Sequence, residues 1–236
     1  MHFDLLHFKS CDSTQDCALE YSLKNNCSSL IICDNQKQGR GRRGRQWKSS
    51  TQSSLTMSLS FHKNIISSDP ALLSLYAGAV LYILLSEQSS KLNMLSLKWP
   101  NDLGVFTETS FKKVAGILVE LKKDYFLVGI GINLQAPAPW PEAISLEELD
   151  SRPYNIDKKD FARSFGAMFL NYLNSATFSA DELLEFLNNK AMSALWNKDL
   201  GANWKNHRAK GLAGDGALIT LGPNSKLQTI YSGDIL

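Results

Sequence analysis

The chain has 236 residues, a net charge of +2 and a hydrophobic content of 44%. This length suffices for one large domain or for one large and one small, and the composition is ordinary for a soluble globular protein. A net charge so close to zero argues against a general nucleic-acid-binding protein, which usually carries a basic face over much of its domain.

The four cysteines, at positions 11, 17, 27 and 33, form no Cys-x-x-Cys pair and have no histidine at zinc spacing. We interpret them as free thiols in a reducing cytoplasm. The first residues lack the long apolar region of a signal peptide, so we expect a cytoplasmic protein. The most apolar segment, Ala71–Leu85, is shorter than the roughly 20 residues that span a bilayer and is predicted to be a buried core helix.

The predicted strands are short apolar or alternating runs. They occupy residues 3–8, 28–33, 54–61, 95–99, 114–121 and 125–134. In the third run, Leu, Met, Leu and Phe alternate with Ser and Thr, which is typical of a half-buried strand. The last two runs are joined by Lys122-Lys123-Asp124, and so short a link predicts an antiparallel hairpin.

The predicted helices begin at residues whose side chains favour the N-cap position. These residues are Ser13 with Thr14, Asp69, Asp157 and Ser179. Residues 135–154 hold four of the seven prolines and are predicted to be irregular. After about Trp196 short strand-like runs occur among Gly, Asp and Asn, which indicates a small β module that depends on the main domain. Helices mixed with hairpin-linked strands predict an α+β fold, with a mixed or antiparallel sheet flanked by helices.

The run Gly39-Arg40-Gly41-Arg42-Arg43-Gly44-Arg45-Gln46-Trp47 is the most unusual stretch of the chain, and no Asp or Glu occurs between Asp34 and Asp69. Like charges packed so densely resist folding onto a core. The glycines let backbone N–H groups approach a ligand closely. We interpret the run as a mobile cationic loop that binds an anion, which can be a phosphate, a carboxylate or a nucleic-acid backbone.

Three further segments carry polar or glycine residues at strand positions. Lys98-Trp99-Pro100-Asn101-Asp102 ends a strand in a turn, and its Lys and Asp are also suited to a phosphate and a metal ion. Lys113 begins a strand that contains Gly116. Gly129 and Gly131 share one face of the next strand, where either a flat ligand or a tightly packed helix would fit.

Together and in this order, these segments resemble the biotin–protein ligase family. The matching stretches are Asp12-Ser13-Thr14, Gly39–Trp47, Lys98–Asp102, Lys113–Glu120 (Lys-Val-Ala-Gly-Ile-Leu-Val-Glu) and Gly129–Asn133 (Gly-Ile-Gly-Ile-Asn). Gly211–Leu236 more loosely resembles the family's SH3-like C-terminal domain. The resemblance implies a catalytic domain of the class II aminoacyl-tRNA synthetase and biotin ligase type over residues 1–190. It also implies a shortened SH3-like domain over residues 191–236.

The resemblance implies a biotin–[acetyl-CoA-carboxylase] ligase. Such an enzyme converts biotin and MgATP into biotinyl-5′-adenylate and transfers biotin to a lysine of a biotin carboxyl carrier protein. The expected partners therefore include that carrier but neither nucleic acid nor a membrane, and the protein is expected to be a monomer or a homodimer. Lipoate–protein ligase, which shares the fold and the adenylation chemistry, is the main alternative.

By the same resemblance, Lys113 contacts the biotin carboxylate and the α-phosphate, and Arg42 helps to retain the intermediate. The implied biotin-binding residues are Ser13, Thr14, Gln15, Gln36, Arg40, Gly41, Arg42, Lys113, Gly116 and Gly131, with Gly129 as a further part of the pocket floor. The implied nucleotide-binding residues are Gly39, Arg40, Arg42, Arg43, Arg45, Trp47, Lys98, Asn101, Asp102 and Asn133. Asp102 is also the implied ligand of Mg²⁺.

Two departures from the family pattern stand out. Position 15 is Gln where the family commonly has Asn. Residues 104–111 are longer than the usual link, which is expected to lengthen a loop, and Lys113 rather than Lys112 has the correct spacing to Ala115-Gly116. Ser13-Thr14 lies too near the start to leave room for the family's N-terminal DNA-binding domain, so we expect an enzyme without repressor function. We also expect the cationic loop to order over the adenylate.

Overall fold

The computed structural model describes residues 2–49, 53–66, 69–108, 110–136, 138, 140–154, 156–174, 179–196, 198, 200, 204 and 206–231. Residues 232–236, which form the end of the matched C-terminal stretch, lie outside this set. Among the helices of the described residues, none has the length and apolar character needed to cross a membrane. All four cysteines are free thiols, as predicted.

Seven strands form the larger sheet. They are β1 (Asp4–Cys11), β2 (Ser29–Gln36), β3 (Ser54–His62), β4 (Ser96–Lys98), β5 (Asp102–Phe106), β6 (Phe111–Lys122) and β7 (Tyr125–Asn133). Their spatial order is β1-β2-β3-β7-β6-β5-β4. The first two strands run parallel, and the other neighbouring pairs are antiparallel. The mixed sheet and the β6–β7 hairpin are therefore confirmed.

Four of the five α-helices of the described residues begin close to the predicted positions, and the third along the chain was not predicted. The five helices are α1 (Thr14–Asn25), α2 (Leu73–Ser86), α3 (Leu146–Asp150), α4 (Lys158–Asn174) and α5 (Ala180–Phe186). Asp69 caps a short 3₁₀ turn that leads into α2, and Ser179 forms a capping box with Glu182 at α5. Ser13 occupies the N-cap of α1, but its side chain makes no capping hydrogen bond. That hydroxyl is buried instead, at 2% exposure.

The helices cover both faces of the larger sheet. On β3, Phe61 packs against Phe169 of α4, with ring centroids 6.1 Å apart. On the same strand, the Oγ atom of Ser58 is hydrogen-bonded to Thr14 Oγ1 of α1 at 2.7 Å. Because side chains at odd and even positions of a strand point to opposite faces, α1 and α4 lie on opposite sides of the sheet. Helix α2 contacts α4 and shares its side.

The prediction that residues 54–61 form a half-buried strand was wrong in one respect, because every residue from Ser54 to Phe61 is buried. The apolar face packs on α2 and α4, and α1 covers the polar face. Two of the hydroxyl side chains on that face form short hydrogen bonds, Thr56 Oγ1 to Cys33 O at 2.6 Å and Ser58 Oγ with Thr14 Oγ1 at 2.7 Å. A serine-rich face therefore indicates close helix packing here rather than exposure to water.

Two further segments differ from the sequence expectation. Residues 104–111 do not lengthen a loop; most of them form the facing arms of the β5–β6 hairpin, closed by a hydrogen bond from Thr107 N to Ser110 O. The proline-rich stretch contains a helix, α3, whose N-cap Ser145 forms a capping box with Glu148. Both were missed because strand and helix segments of five residues carry too short a pattern to be recognised.

A second, smaller sheet follows the helices. Its strands are β8 (Arg208–Leu212), β9 (Leu218–Leu221) and β10 (Leu227–Ile230), which pair antiparallel in the order β10-β9-β8. The loop before β9 contacts the main body of the protein. There the indole Nε1 of Trp99 donates a 3.0 Å hydrogen bond to Gly216 O. This contact ties the small sheet to the turn that carries Lys98, Asn101 and Asp102.

Trp99→Phe should lower the free energy of unfolding by about 1–3 kcal/mol, because Gly216 O then loses its buried donor. Chemical denaturation of the wild type and the variant measures this difference. Trp140→Phe is the matched control, since Trp140 is 45% exposed and such surface changes stay within about 0.5 kcal/mol. Equal losses in the two variants would mean that the Trp99 contact does not stabilise the fold.

Candidate active site

Two adjoining cavities open on the α1 side of the sheet. The smaller encloses about 450 Å³ of empty space and the larger about 1310 Å³. The smaller is lined by Ser13, Thr14, Gln15, Gln36, Arg40, Gly41, Arg42, Trp47, Ser58, Asn101, Lys113, Gly116, Ile117, Leu118, Gly129, Ile130 and Gly131. All of the predicted biotin-binding residues are among them.

Polar side chains form one wall of the smaller cavity. Gln36 Oε1 accepts hydrogen bonds from Thr14 N at 2.8 Å and from Thr14 Oγ1 at 3.0 Å. Thr14 Oγ1 also lies 2.7 Å from Ser58 Oγ, so the three residues form one chain of hydrogen bonds. Because Gln36 is the last residue of β2 and Thr14 the first of α1, the end of a strand and the start of a helix fix this wall.

The departure at position 15 has a structural explanation. Gln15 Nε2 donates to Leu118 O at 3.0 Å, so the side chain reaches from α1 across β7 to β6. A Cβ atom added at Gly129 would lie only 3.0 Å from the Gln15 amide carbon. The longer Gln side chain therefore rests directly on Gly129 and closes this end of the cavity.

The remaining glycines of the strands are covered by Trp47 and Lys113. A Cβ atom at Gly131 would clash with the Trp47 indole, and one at Gly116 would lie 2.7 Å from Lys113 Nζ. Of the two interpretations of the glycine face, close packing by a helix is found at Gly129, where Gln15 of α1 rests, and the flat ligand stays a prediction. The glycines line a cavity, and they also admit the side chains of Gln15 and Trp47.

The cationic run folds into a hairpin over the cavity mouth, which we call the basic hairpin (residues 40–46). Arg40 pairs with Gln46 in an isolated antiparallel bridge, and Gly41 N donates to Arg45 O at 2.7 Å. Arg43 and Gly44 both adopt positive φ, at 55° and 73°. Such angles suit glycine, and the tip of the hairpin depends on them.

Two arginines of the hairpin bind groups on other elements. Arg42 Nη1 donates to Asn101 Oδ1 at 2.8 Å, and Asn101 Nδ2 in turn donates to Ile117 O at 2.9 Å. Arg40 forms a two-point ion pair with Asp16 and a longer contact with Glu120. The hydrogen bonds from Arg40 hold the pKa of Asp16 below its usual value and outweigh the opposing effect of burial.

Lys113 lies at the junction of the two cavities and lines both. Its Nζ is 2.6 Å from Asp102 Oδ1, while Lys98 Nζ is 3.9 Å from Asp102 Oδ2. The close contact between Lys113 and Asp102 is an ion pair. A bulge near Gly104, where the β5–β6 register shifts, lies opposite Lys113. Lys112 Nζ donates to Pro141 O instead. Lys113 rather than Lys112 therefore lines the two cavities.

The larger cavity contains most of the predicted nucleotide-region residues. Its lining comprises Gly41, Arg42, Arg45, Gln46, Trp47, Lys48, Asn101, Asp102, Lys113, Asn133, Trp140, Glu142 and Ala143. Lys48 Nζ sits 3.9 Å from the centre of the Trp140 ring. Asn133 Oδ1 and Trp47 Nε1 are buried and have no hydrogen-bond partner among the described residues. Buried polar atoms of this kind are usually satisfied, so both are suited to a ligand.

Three predicted residues line neither cavity. Gly39 and Arg43 lie instead along a groove beside the basic hairpin. Lys98 is connected to the site by its ion pair with Asp102.

In the described part of the chain, no group of three or more His, Cys, Asp or Glu side chains is arranged to hold a metal ion. The proposed metal role of Asp102 stays a prediction.

Several lining residues were not found from the sequence. Ser58 belongs to the alternating strand, where its polar position was taken for a solvent face. Trp140 and Glu142 lie in the proline-rich stretch, which carried no periodic signal. Asp16 and Glu120 contact the hairpin only because α1 and β6 meet it in the fold, and no local pattern indicates such a contact.

The family model that matches this chain is that of the biotin/lipoate A/B protein ligase family, over residues 7–136. Among curated proteins, the Bifunctional ligase/repressor BirA of Bacillus subtilis is 32% identical over 149 residues, which cover 59% of this chain and 43% of that protein. The biotin–[acetyl-CoA-carboxylase] ligase of Mycobacterium tuberculosis is 33% identical over 124 residues, covering 51% and 45%. The chain thus matches less than half the length of these two relatives.

A solved structure resembles almost the whole chain. The biotin protein ligase of Aquifex aeolicus in complex with biotin and ATP superposes with a TM-score of 0.75 and 28% identity. The match covers 99% of this chain and 97% of that one. The similarity therefore extends through the larger sheet and into the C-terminal region.

Gly131→Ala should lower the free energy of unfolding by about 1–3 kcal/mol, because the added methyl group displaces the Trp47 indole from a packed site. Gly214→Ala is the matched control, since a Cβ atom there meets nothing within 4 Å. Denaturant titration of both variants measures the difference. If Gly131→Ala were as stable as the control, Trp47 would not be packed on the glycine face.

Proposed function

Because the chain belongs to the biotin/lipoate A/B protein ligase family, we propose that it activates biotin with ATP as biotinyl-5′-adenylate. It then transfers biotin to a lysine of a biotin carboxyl carrier protein. The observation that carries this proposal is the position of Lys113, whose side chain lines both a small polar cavity and a larger one. A cation at such a junction suits the meeting of two anionic substrates.

The smaller cavity suits biotin. The ureido group of biotin has both N–H donors and a carbonyl acceptor, and the Thr14, Gln36 and Ser58 chain offers hydroxyl and amide groups of both kinds. The valerate arm would extend from this polar wall towards Lys113, which lines the same cavity and would face its carboxylate. The dithiolane ring of lipoate has no comparable donors or acceptors. This polar wall therefore favours biotin over lipoate, the alternative substrate.

The larger cavity suits ATP. Trp47 and Trp140 provide aromatic surface for a purine, and the unpartnered Asn133 Oδ1 can accept a hydrogen bond from an amino or hydroxyl group. Arg42, Arg45 and Lys48 line the same cavity and carry charge for the phosphates. The shared lining of this cavity supports the nucleotide-binding roles predicted for Arg42, Arg45, Trp47 and Asn133.

In the first step, a biotin carboxylate oxygen attacks the α-phosphorus, and the bond to the β-phosphate oxygen breaks to release pyrophosphate. Both reactants are negatively charged, so their approach within bonding distance is opposed by Coulomb repulsion. Lys113 and Arg42 offset this repulsion as cations held in place before the reaction. In the second step, a neutral lysine amine of the carrier attacks the acyl carbon, AMP leaves, and the amine loses a proton.

The surroundings of Asp102 do not fit a metal ion held by the protein, because Lys113 and Lys98 already face the carboxylate. We propose that Mg²⁺ enters bound to the phosphates of ATP, which together with water are among its usual ligands. The two steps above do not depend on Asp102 as a ligand.

The proposal extends to organisation and location. Residues 1–190 would form the catalytic domain and residues 191–236 a small C-terminal domain. The reaction would take place in the cytoplasm, with the carrier protein as the partner and the enzyme as a monomer or a homodimer. A nucleic-acid-binding role is disfavoured because Arg40 and Arg42 bind groups of the protein itself rather than forming an open basic surface.

The proposed activity is tested by incubating the protein with ATP and radiolabelled pyrophosphate, together with biotin, with lipoate or with neither. We expect label in ATP only when biotin is present, because reversal of adenylate formation requires the acid that the site accepts. Exchange with lipoate but not with biotin would overturn the assignment, as would an absence of exchange with either.

Lys113→Ala should reduce biotin-dependent exchange by at least about 10²-fold, as expected when a preorganised charge at the reacting atoms is lost. Lys112→Ala is the matched control, because the neighbouring lysine lines neither cavity and should retain most of the activity. Circular dichroism checks that both variants are folded. If Lys113→Ala kept near-normal exchange, another residue would have to hold the two anions together.

A further inference from the structure

The basic hairpin is held against the rest of the protein at its first residue. Arg40 Nη1 lies 2.5 Å from Asp16 Oδ2, and Arg40 Nη2 lies 2.8 Å from Asp16 Oδ1. Arg40 Nη2 also donates to Glu120 Oε2 at 3.3 Å. A guanidinium that engages a carboxylate through two parallel bonds is fixed in direction as well as in distance.

The two carboxylates belong to elements that are not part of the hairpin. Asp16 lies in the first turn of α1, and Glu120 lies near the end of β6. Lys122 Nζ is 3.2 Å from Glu120 Oε2 and 3.9 Å from Asp16 Oδ1, so a second cation holds both acids in the same cluster. The hairpin is thus attached to a rigid helix and to a rigid strand.

This attachment lies beside the opening of the smaller cavity. Arg40, Gly41 and Arg42 line that cavity on one side of the hairpin, whereas Glu120 lies along the groove on its other side. The hairpin therefore cannot move away from the cavity without breaking the contacts of Arg40 with Asp16 and Glu120.

We infer that Asp16 and Glu120 are positioning residues that hold the basic hairpin closed over the smaller cavity by binding Arg40. The inference rests on the proposed function only for the identity of the enclosed ligand. Substrate entry and release then require these ion pairs to open, and a bound adenylate is retained for as long as they stay intact.

The ion pair between Arg40 and Asp16 persists at neutral pH. Hydrogen bonds from Arg40 lower the pKa of Asp16 despite its partial burial, and the nearby Lys122 acts in the same direction. An acid whose pKa is lowered in the folded protein contributes its stabilisation above its unfolded pKa and loses it only as the pH falls through the folded value. Screening by salt is therefore a more practical means of weakening this attachment than acid.

The test compares Asp16→Asn and Glu120→Gln with the wild type by limited trypsin digestion without ligands. We expect cleavage within residues 40–45 to be about fivefold faster in Asp16→Asn, which corresponds to about 1 kcal/mol lost from a partly exposed ion pair. Glu120→Gln, which loses the longer contact, should show a smaller increase. Cleavage after the exposed Lys226, in the turn between β9 and β10, provides an internal reference in each digest.

Asp124→Asn is the matched control. It makes the same chemical change at an exposed ion pair, that of Asp124 with Lys63 at 2.7 Å, which does not involve a residue of the hairpin. It should leave cleavage within residues 40–45 unchanged. Equal hairpin cleavage in Asp16→Asn, Glu120→Gln and Asp124→Asn would overturn the inference.

A second measurement follows the retention of radiolabelled biotinyl-adenylate after gel filtration. Asp16→Asn should release it about three- to fivefold faster than the Asp124→Asn control, and raised salt should narrow the difference. Equal release rates would contradict the positioning role even if cleavage changed. If the wild type formed no adenylate, the proposed function would fail, and the digestion result would still decide whether the hairpin is held by these acids.

Discussion

The mutual repulsion of closely spaced cations is the constraint on which the site depends. In the structure each central cation is matched by a partner from a different element. Arg40 binds acids of α1 and β6, Arg42 binds the turn after β4, and Lys113 binds Asp102 of β5. Such a distribution offsets the repulsion and orders the side chains at the same time. An incoming anion then meets charges whose positions are already fixed, which reduces the cost of reorganisation.

Much of the fold could be predicted because its signals are local. The Lys122-Lys123-Asp124 link sets the β6–β7 hairpin, and Asp69 and Ser179 mark helix starts through contacts within four residues. The predictions failed where the environment is set by distant parts of the chain. The polar face of β3 is buried only because α1 lies across it, and the alternating pattern reports polarity rather than exposure.

In the candidate site, too, the residues marked by local sequence motifs could be predicted, and those placed by tertiary packing could not. Most of the glycines and basic residues of the matched motifs line the cavities, because their types are tied to backbone approach and to charge. Ser58, Trp140, Asp16 and Glu120 were not found from the sequence. Each reaches the site through tertiary packing, and each belongs to a residue type that is common at exposed or ordinary positions elsewhere. A family resemblance therefore locates the residues that line the cavities more readily than the residues that hold them in place.

The hydrogen bond between Trp99 and Gly216 joins residues 117 positions apart in sequence. During synthesis, the turn that presents Asn101 and Asp102 leaves the ribosome long before its partner does. Contacts of such sequence separation form late, because a long loop must be closed first. The nascent chain can thus assemble most of the larger sheet as it emerges. The hydrogen bond that supports the turn presenting Asn101 and Asp102 forms only once the loop before β9 has been made, after the strands of the larger sheet.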